Sequence, residues 1–460
     1  MDRIMTMIPR FRQKKWLFPP SHFVSITNLT YGLVYPALVF GAFGFISLFL
    51  PYKHRTGFSS AVFPYIRLAM PMITDTASLD AFCKSLSGTP FITVDTEFMR
   101  ESTYWPVLCL IQVAGPDDAR AIDALAPGID LAPLFDLLDD PSILKVFHAA
   151  RQDLEIFYHL MGHVPLPVFD TQVAAMVCGF GDSVGYQTLI AKLTKARIDK
   201  SSRFTDWSRR PLSDRQISYA LSDVTHLRDA YRNLKNKLEA NGRENWLQEE
   251  MAVLEAPETY DPDPHQTFRR IKSRGAKPRF LAVLRELAAW RELEARRRDQ
   301  PRNRILRDEA LLEIAHHTPK TVQDLERTRG LGKKMAEGPA GARLLEAIKT
   351  GVEIPDADCP KPENKLELPR GLGPVIDLLR VLLKMKCDES DVAQKLLASA
   401  NDIELIAAFG EEADVRAMHG WRRELFGEDA LKLCRGDLGF VIKNKRLSLM
   451  RPADNGGEAG

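Results

Sequence analysis

Cysteine is scarce in this sequence. The six present (Cys83, Cys109, Cys178, Cys359, Cys387 and Cys434) include no CxxC pair, which argues against a structural zinc site and against a disulfide framework. A reducing compartment is the natural reading. Glycine (28) and proline (29) are too few for a collagenous or low-complexity chain. Charge of one sign is lacking too: 63 Lys and Arg against 61 Asp and Glu leave +2, so the chain is on average neither a basic nucleic-acid coat nor an acidic tail. Long apolar runs are absent except for one near the N-terminus, which excludes a polytopic membrane protein. What is there is an ordinary globular composition, 45% apolar and 27% charged.

At ~150 residues per domain, the length of 460 residues suggests about three domains. Residues 1–71 differ from the rest. Arg3, Arg10, Arg12, Lys14 and Lys15 precede an uncharged run over 23–51, and Lys53 and Arg55 follow it. Some ~20 uncharged apolar residues can span a bilayer; the run is too long for a signal-peptide core and lacks a clear cleavage site. The segment reads as a membrane anchor, an atypical targeting segment, or sequence ahead of the true start, because Met70-Pro71-Met72-Ile73-Thr74 leads directly into a globular pattern. Over 72–255, strand-like runs at 91–94, 107–113 and 119–122 alternate with helical periods around 131–138, 153–161, 171–179 and 214–239, which predicts an α/β domain with a central sheet. Residues 257–264 are rich in proline and acidic residues, which marks 256–277 as a linker, and beyond it the strand signals stop. Helical units are expected at 278–353 and 372–449, with a proline-bearing linker at 354–371 and a tail at 450–460.

Asp95-Thr96-Glu97 ends the first strand run. Residues i and i+2 of a strand share a face, so two carboxylates project together from an otherwise apolar sheet edge. Like charges that close are unfavourable without a cation between them, and a divalent ion is the usual solution. Alone, D-x-E is equally a solvated strand end. A second apolar run reaches His148, and Asp153 then falls in the opening turn of a helix, where the plain reading is stabilisation by the helix dipole. Asp170, ahead of Thr171-Gln172, reads as an N-cap. Tyr219 and Asp223, at i and i+4, place a hydroxyl and a carboxylate on one helix face.

Together these four carboxylates and one tyrosine resemble the DEDDy class of 3′→5′ exonucleases, and the flanking residues resemble the ribonuclease D family within it. Asp95-Thr96-Glu97-Phe98, Thr103-Tyr104-Trp105-Pro106 and Leu110-Ile111-Gln112 look like its first motif. His148-Ala149 through Asp153-Leu154-Glu155, then Phe169-Asp170-Thr171-Gln172, look like the second. Asp206-Trp207, Arg210-Pro211-Leu212 and Gln216 through Tyr219 and Asp223 look like the third. The resemblance covers about residues 72–445. It implies an α/β ribonuclease-H-like exonuclease domain followed by two all-α HRDC-type helical domains, the second more divergent.

The resemblance also implies roles. Asp95, Glu97 and Asp223 would hold the ion that activates the attacking water. Asp95 would bridge to a second ion at the leaving oxygen, Asp153 would assist through water, and Tyr219 would position the nucleophile. Two divalent ions are implied, Mg²⁺ or Mn²⁺ rather than zinc given oxygen-only ligands, and no nucleotide cofactor. The expected reaction trims the 3′ ends of tRNA precursors and other small structured RNAs, releasing nucleoside 5′-monophosphates in the cytoplasm, with a membrane partner only if the N-terminal segment is retained. Two rivals remain at this point: a DNA 3′→5′ exonuclease of the Werner type, and a catalytically silent RNA-binding or membrane-tethered scaffold.

The near-neutral total conceals a basic stretch. Residues 269–307 hold fourteen Lys and Arg, Arg274 among them, against four acids, a net +10. That density reads as phosphate contacts, with Arg296, Arg297 and Arg298 at its centre, although a charge run is also a solvated face. Arg329-Gly330-Leu331-Gly332-Lys333-Lys334 is a glycine loop ahead of a helix that could present amides and Lys333 and Lys334 to a phosphate, or equally a C-capping glycine. Trp207 joins the expected RNA contacts.

Overall fold

Short, nearly continuous runs of Val, Ile, Leu and Phe, buried on both faces, build the first half of the chain into a sheet. The computed structural model describes residues 72–196, 198, 205–273, 276–362 and 368–451. The segment 1–71 with its apolar run, Arg274 of the basic stretch and residues 452–460 lie outside the described residues. Six strands, β1 (Met72–Ile73), β2 (Phe91–Met99), β3 (Val107–Ala114), β4 (Ala119–Asp123), β5 (Leu144–Phe147) and β6 (Val168–Asp170), form one sheet in the order β1-β4-β3-β2-β5-β6. β2, β3 and β4 run antiparallel in a meander, with a turn at Gly115 whose N–H donates to the Asp118 carbonyl at 3.0 Å. β5 and β6 join in parallel after helical crossovers.

Two sequence expectations are corrected here. The strand expected over 91–94 runs on to Met99, because β3 pairs with it from Thr93 onward. The polar Asp-Thr-Glu carries little strand propensity of its own, and cross-strand pairing overrides that. β2 is also not an edge: it lies between β3 and β5. The register shifts between Glu97 and Phe98, at the end of the strand that carries the two carboxylates.

Among the described residues seven helices surround the sheet: α1 (Thr76–Ser85), α2 (Ala132–Asp139), α3 (Arg151–Met161), α4 (Thr171–Val177), α5 (Tyr186–Thr194), α6 (Asp214–Asn241) and α7 (Glu244–Glu255). The longest, α6, starts at a Ser213/Gln216 capping box and stops at Gly242, whose φ of 62° terminates the helical path. α6 lies along β2, β3 and β4, which brings its first turns to the carboxylate end of β2.

The chain then turns helical: α8 (Pro278–Arg298), α9 (Arg302–Ile305), α10 (Asp308–His317), α11 (Val322–Glu326), α12 (Lys333–Glu337) and α13 (Pro339–Glu353) pack around buried Leu284, Leu287, Leu311 and Leu344. A second group follows, α14 (Gly373–Ser390), α15 (Gln394–Leu397), α16 (Ala400–Phe409), α17 (Gly420–Arg422) and α18 (Glu428–Arg435). The all-α expectation for 372–449 is corrected at its end. β7 (Gly439–Lys443) and β8 (Arg446–Met450) form an antiparallel hairpin. Asn444 and Lys445 between them both have positive φ, 51° and 61°, as a two-residue turn matched to strand twist requires.

Both helical groups are anchored to the sheet domain. Asp299 at the end of α8 accepts from the backbone N–H groups of Tyr104 and Trp105, each at 3.0 Å. The second group shares an apolar cluster with the sheet. Trp421 stacks on Trp246 of α7 at 4.2 Å between ring centroids, and the buried Arg422 pairs with Glu249 and Glu250.

Candidate active site

Asp95 and Glu97 leave β2 on the same side, and α6 lays Asp223 against them. One carboxylate oxygen from each of the three falls within 4.8 Å of the others. Asp153, in the first turn of α3, is buried beside them and accepts a hydrogen bond from the hydroxyl of the intervening Thr96. Tyr219, one turn before Asp223 on α6, donates its phenol to that carboxylate. The five residues expected from the sequence are thus brought together. Asp170 behaves as the N-cap read for it, accepting from Gln172 N at 2.7 Å, and it also accepts from Ala149 and Ala150 N, tying the His148 turn to α4.

The electrostatics follow from burial. Loss of water pushes the Asp95, Glu97, Asp153 and Asp223 carboxyls above the ordinary carboxylate range, and for Glu97 the charges of Asp95, Asp223 and Asp153 add to it. Burial and the neighbouring acids raise the Tyr219 phenol as well, so it stays protonated and serves as a hydrogen-bonding group, not a base. Among the described residues no Lys or Arg forms an ion pair with any of the four carboxylates. Closely set oxygen donors without a protein counter-charge fit a hard divalent cation.

A cavity of about 410 Å³ opens beside this cluster, lined by Asp95, His148, Gln172, Tyr186, Tyr219 and Asp223 among others; its size is that of a small-ligand site. Burial lowers the His148 imidazole to about 4, so it is neutral there.

Several supports were not assigned roles from sequence. Thr96 lay in the motif only as its variable residue. Tyr186 sends its hydroxyl to the backbone carbonyls of Ser222 and Asp223 and so fixes the α6 turn that carries Asp223. Arg210 grips Asp123 through Nε at 2.8 Å and Nη2 at 2.6 Å, and reaches the Trp207 carbonyl at 2.7 Å. Gln112 stands directly opposite Asp95 in the ladder, fully buried, with neither amide atom hydrogen-bonded. A lone sequence carries no signal for such contacts.

The expected RNA contacts fare differently. Trp207 is 3% exposed. Its ring packs near Tyr219, centroids 6.3 Å apart, so it supports the tyrosine from within and offers no face to a base. Arg296 pairs with Asp261 and Glu292, and Arg297 and Arg298 both pair with Glu294. Glu292 and Glu294 are 1% and 4% exposed; Arg297 and the other guanidinium groups hold Glu294 down to about 2. The arginine run thus neutralises buried acids of its own helix, a pairing that a charge count cannot reveal. Lys333 and Lys334 open the five-residue α12, with Lys333 3.5 Å from Glu337, and Gly332 stands as the N-cap; the loop precedes a helix, as one of its two readings held.

A family described as 3′-5′ exonuclease matches residues 70–239, and the HRDC domain matches residues 280–348. The chain is 50% identical over 380 residues to a ribonuclease D of Granulibacter bethesdensis, covering 82% of this chain and 96% of that one. It is 51% identical over 376 residues to a ribonuclease D of Gluconacetobacter diazotrophicus, covering 82% and 95%. Among solved structures, the Escherichia coli RNase D, an exoribonuclease involved in structured RNA processing, superposes with a TM-score of 0.67 at 31% identity, over 79% of this chain and 98% of that one.

Proposed function

The chain belongs to the ribonuclease D family and is a 3′→5′ exoribonuclease, and on that premise we propose that Asp95, Glu97, Asp153, Asp223 and Tyr219 carry its reaction, with structured RNAs such as tRNA precursors as substrates. The observation that supports this reading is the convergence of three carboxylates from β2 and α6 within 4.8 Å. Asp95, Glu97 and Asp223 would hold a divalent ion, and Asp95 with Asp153 a second one; Mg²⁺ or Mn²⁺ suits the all-oxygen set. Such ions supply an acidified water and neutralise charge on the phosphate. Tyr219 keeps its proton, directs it to Asp223, and leaves its oxygen lone pairs to orient the attacking water. Thr96 holds Asp153, and Trp207 backs Tyr219. The products would be nucleoside 5′-monophosphates.

Residues 372–449 are read as a second, divergent HRDC-like unit. With five of the six free cysteines buried, a reducing cytoplasm is the compartment proposed. Among the described residues no helix is long and apolar enough to cross a membrane. Ribonuclease D relatives at half identity do not favour the DNA-exonuclease or silent-scaffold rivals. The test is digestion of a 5′-labelled RNA with a free 3′ end, beside a matched DNA. Stepwise shortening with Mg²⁺ or Mn²⁺, abolished by EDTA and by Asp95→Asn in a folded protein, is expected. Turnover by Asp95→Asn would sink the residue assignment.

A further inference from the structure

A second cavity, of about 400 Å³, lies where the exonuclease domain meets the first helical group. Its walls come from three parts of the chain: Arg100 and Tyr104 after β2, Arg270 before α8, and Arg291, Arg302 and Asn303 from α8 and α9. Asp308 is the lining carboxylate. Four guanidinium groups therefore surround one small space.

Most of these arginines have partners, and the partners leave N–H groups over. Arg100 meets Glu155 through Nη1 and Nη2, both at 2.7 Å, so its Nε–H is left. Arg302 meets Glu292 and the Tyr104 hydroxyl through Nε and Nη2, so Nη1 is left. Arg291 is 5% exposed, and Nη1 makes its bonds to the Leu306 carbonyl and Asp308. Its buried Nε has no hydrogen-bond partner. Arg270 is exposed and forms no ion pair among the described residues. Planar guanidinium forks match the tetrahedral oxygens of phosphate better than a point charge does.

The position is as telling as the charge. Arg100 follows Glu97 by three residues, and its partner Glu155 follows Asp153 by two. At ~3.3 Å per strand residue, the cavity rim begins about 10 Å from the carboxylate cluster. We propose that this junction cavity is a subsite for a backbone phosphate of the RNA strand whose 3′ end lies among Asp95, Glu97 and Asp223. The proposal rests on the exoribonuclease reading above. It assigns the RNA grip to the unpaired Arg270, with the left-over N–H groups of Arg100 and Arg302 beside it, and not to the Arg296–Arg298 run. The cavity closes only when the first helical group is docked through Asp299 and Tyr104, so that docking completes the subsite.

The experiment compares oligoadenylates of two and ten nucleotides. Binding is followed by fluorescence anisotropy in the full chain carrying Asp95→Asn, so that no substrate is consumed. Arg270→Ala removes an unpaired exposed cation, and Asn303→Asp places a carboxylate in the same space; neither breaks an ion pair of the fold. Each is expected to weaken the ten-mer about 5- to 10-fold, the scale of one net hydrogen bond in a solvent-screened site. Arg270→Ala should also flatten the salt dependence by ~0.7, the value for one phosphate on a single strand. The dinucleotide, too short to reach the cavity, should bind unchanged. Equal weakening of both lengths, or an unaltered ten-mer affinity and salt slope, would overturn the subsite. Adenosine monophosphate that binds the cavity and loses its affinity in Arg270→Ala would make it a mononucleotide site and also overturn the strand reading. Failure of the exoribonuclease reading would show differently, as absence of digestion by the unmutated protein with the binding contrast intact.

Discussion

Raising the pH should weaken the metal-free protein, and the carboxylate cluster is the reason. Burial lifts Asp95 from the ordinary 3.8 to about 7. The folded state therefore holds a proton on Asp95 over a range in which the unfolded chain has lost it. Where the native state binds more protons than the unfolded state, stability falls as pH rises. The penalty is absent below about 4 and fully developed above about 7. Between pH 5 and pH 7 this covers somewhat under two units, on the order of 2 kcal/mol. Asp95 is only half-buried, so solvent screening reduces the figure to ~1–2 kcal/mol. At ~2–4 °C per kcal/mol for a domain of this size, the melting temperature of EDTA-treated protein should drop about 2–8 °C across that interval through Asp95 alone. The assay is differential scanning fluorimetry at pH 5, 6, 7 and 8, on the unmutated protein and on Asp95→Asn, with and without Mg²⁺. Asp95→Asn should flatten the profile and be the more stable protein at pH 8 without metal. Mg²⁺ should restore the unmutated protein and release protons as it binds. Identical pH profiles for the two proteins, or a melting temperature that rises with pH only in the unmutated one, would refute the claim that this cluster is a strained anion site awaiting a cation.

Tyr219→Phe keeps the ring over Trp207 and removes the hydroxyl, so kcat should fall by about 10²-fold, the range for a positioned hydrogen-bonding group; metal affinity by calorimetry should be nearly unchanged, and a parallel loss of metal binding would contradict the positioning role. Arg296→Ala should lower stability by ~1–3 kcal/mol in urea unfolding, because it strips a partner from the buried Glu292 and Tyr104, while the salt slope of RNA binding stays as it was; a reduced slope would return this arginine to the RNA footprint. Trp421→Ala removes the stack on Trp246 and should cost about 3–5 kcal/mol of local packing, read as faster proteolysis between 372 and 449 with the exonuclease domain left resistant; uniform protection would mean that the second helical group is held elsewhere.

Much of the site was legible in the chain itself. Carboxylates at i and i+2 of a strand, and a hydroxyl and carboxylate at i and i+4 of a helix, are fixed by backbone periodicity before any tertiary contact forms. So are the N-cap at Asp170 and the change from mixed β and α to helix beyond the acidic, Pro-rich stretch. What was misread depended on neighbours distant in sequence. The strand of Asp95 and Glu97 extends to Met99 and lies inside the sheet because β3 and β5 flank it. The β7–β8 hairpin is short enough to be hidden in a helical background, with only Asn444-Lys445 to mark its turn.

Charge shows the division most clearly. The sequence determined that the 269–307 stretch is net basic and that Asp95, Glu97, Asp153 and Asp223 are carboxylates of a ribonuclease D pattern, because composition and short-range spacing are properties of the covalent chain. Only the tertiary structure decided which charges stay unneutralised. It buries Glu292 and Glu294 under the arginines of their own helix and gathers Asp95, Glu97 and Asp223 with no Lys or Arg paired to them among the described residues. It also leaves Arg270 open at the junction of two domains. The physical reason is that a charge acts through its distance to others and through the water it has lost, and both are set by the fold.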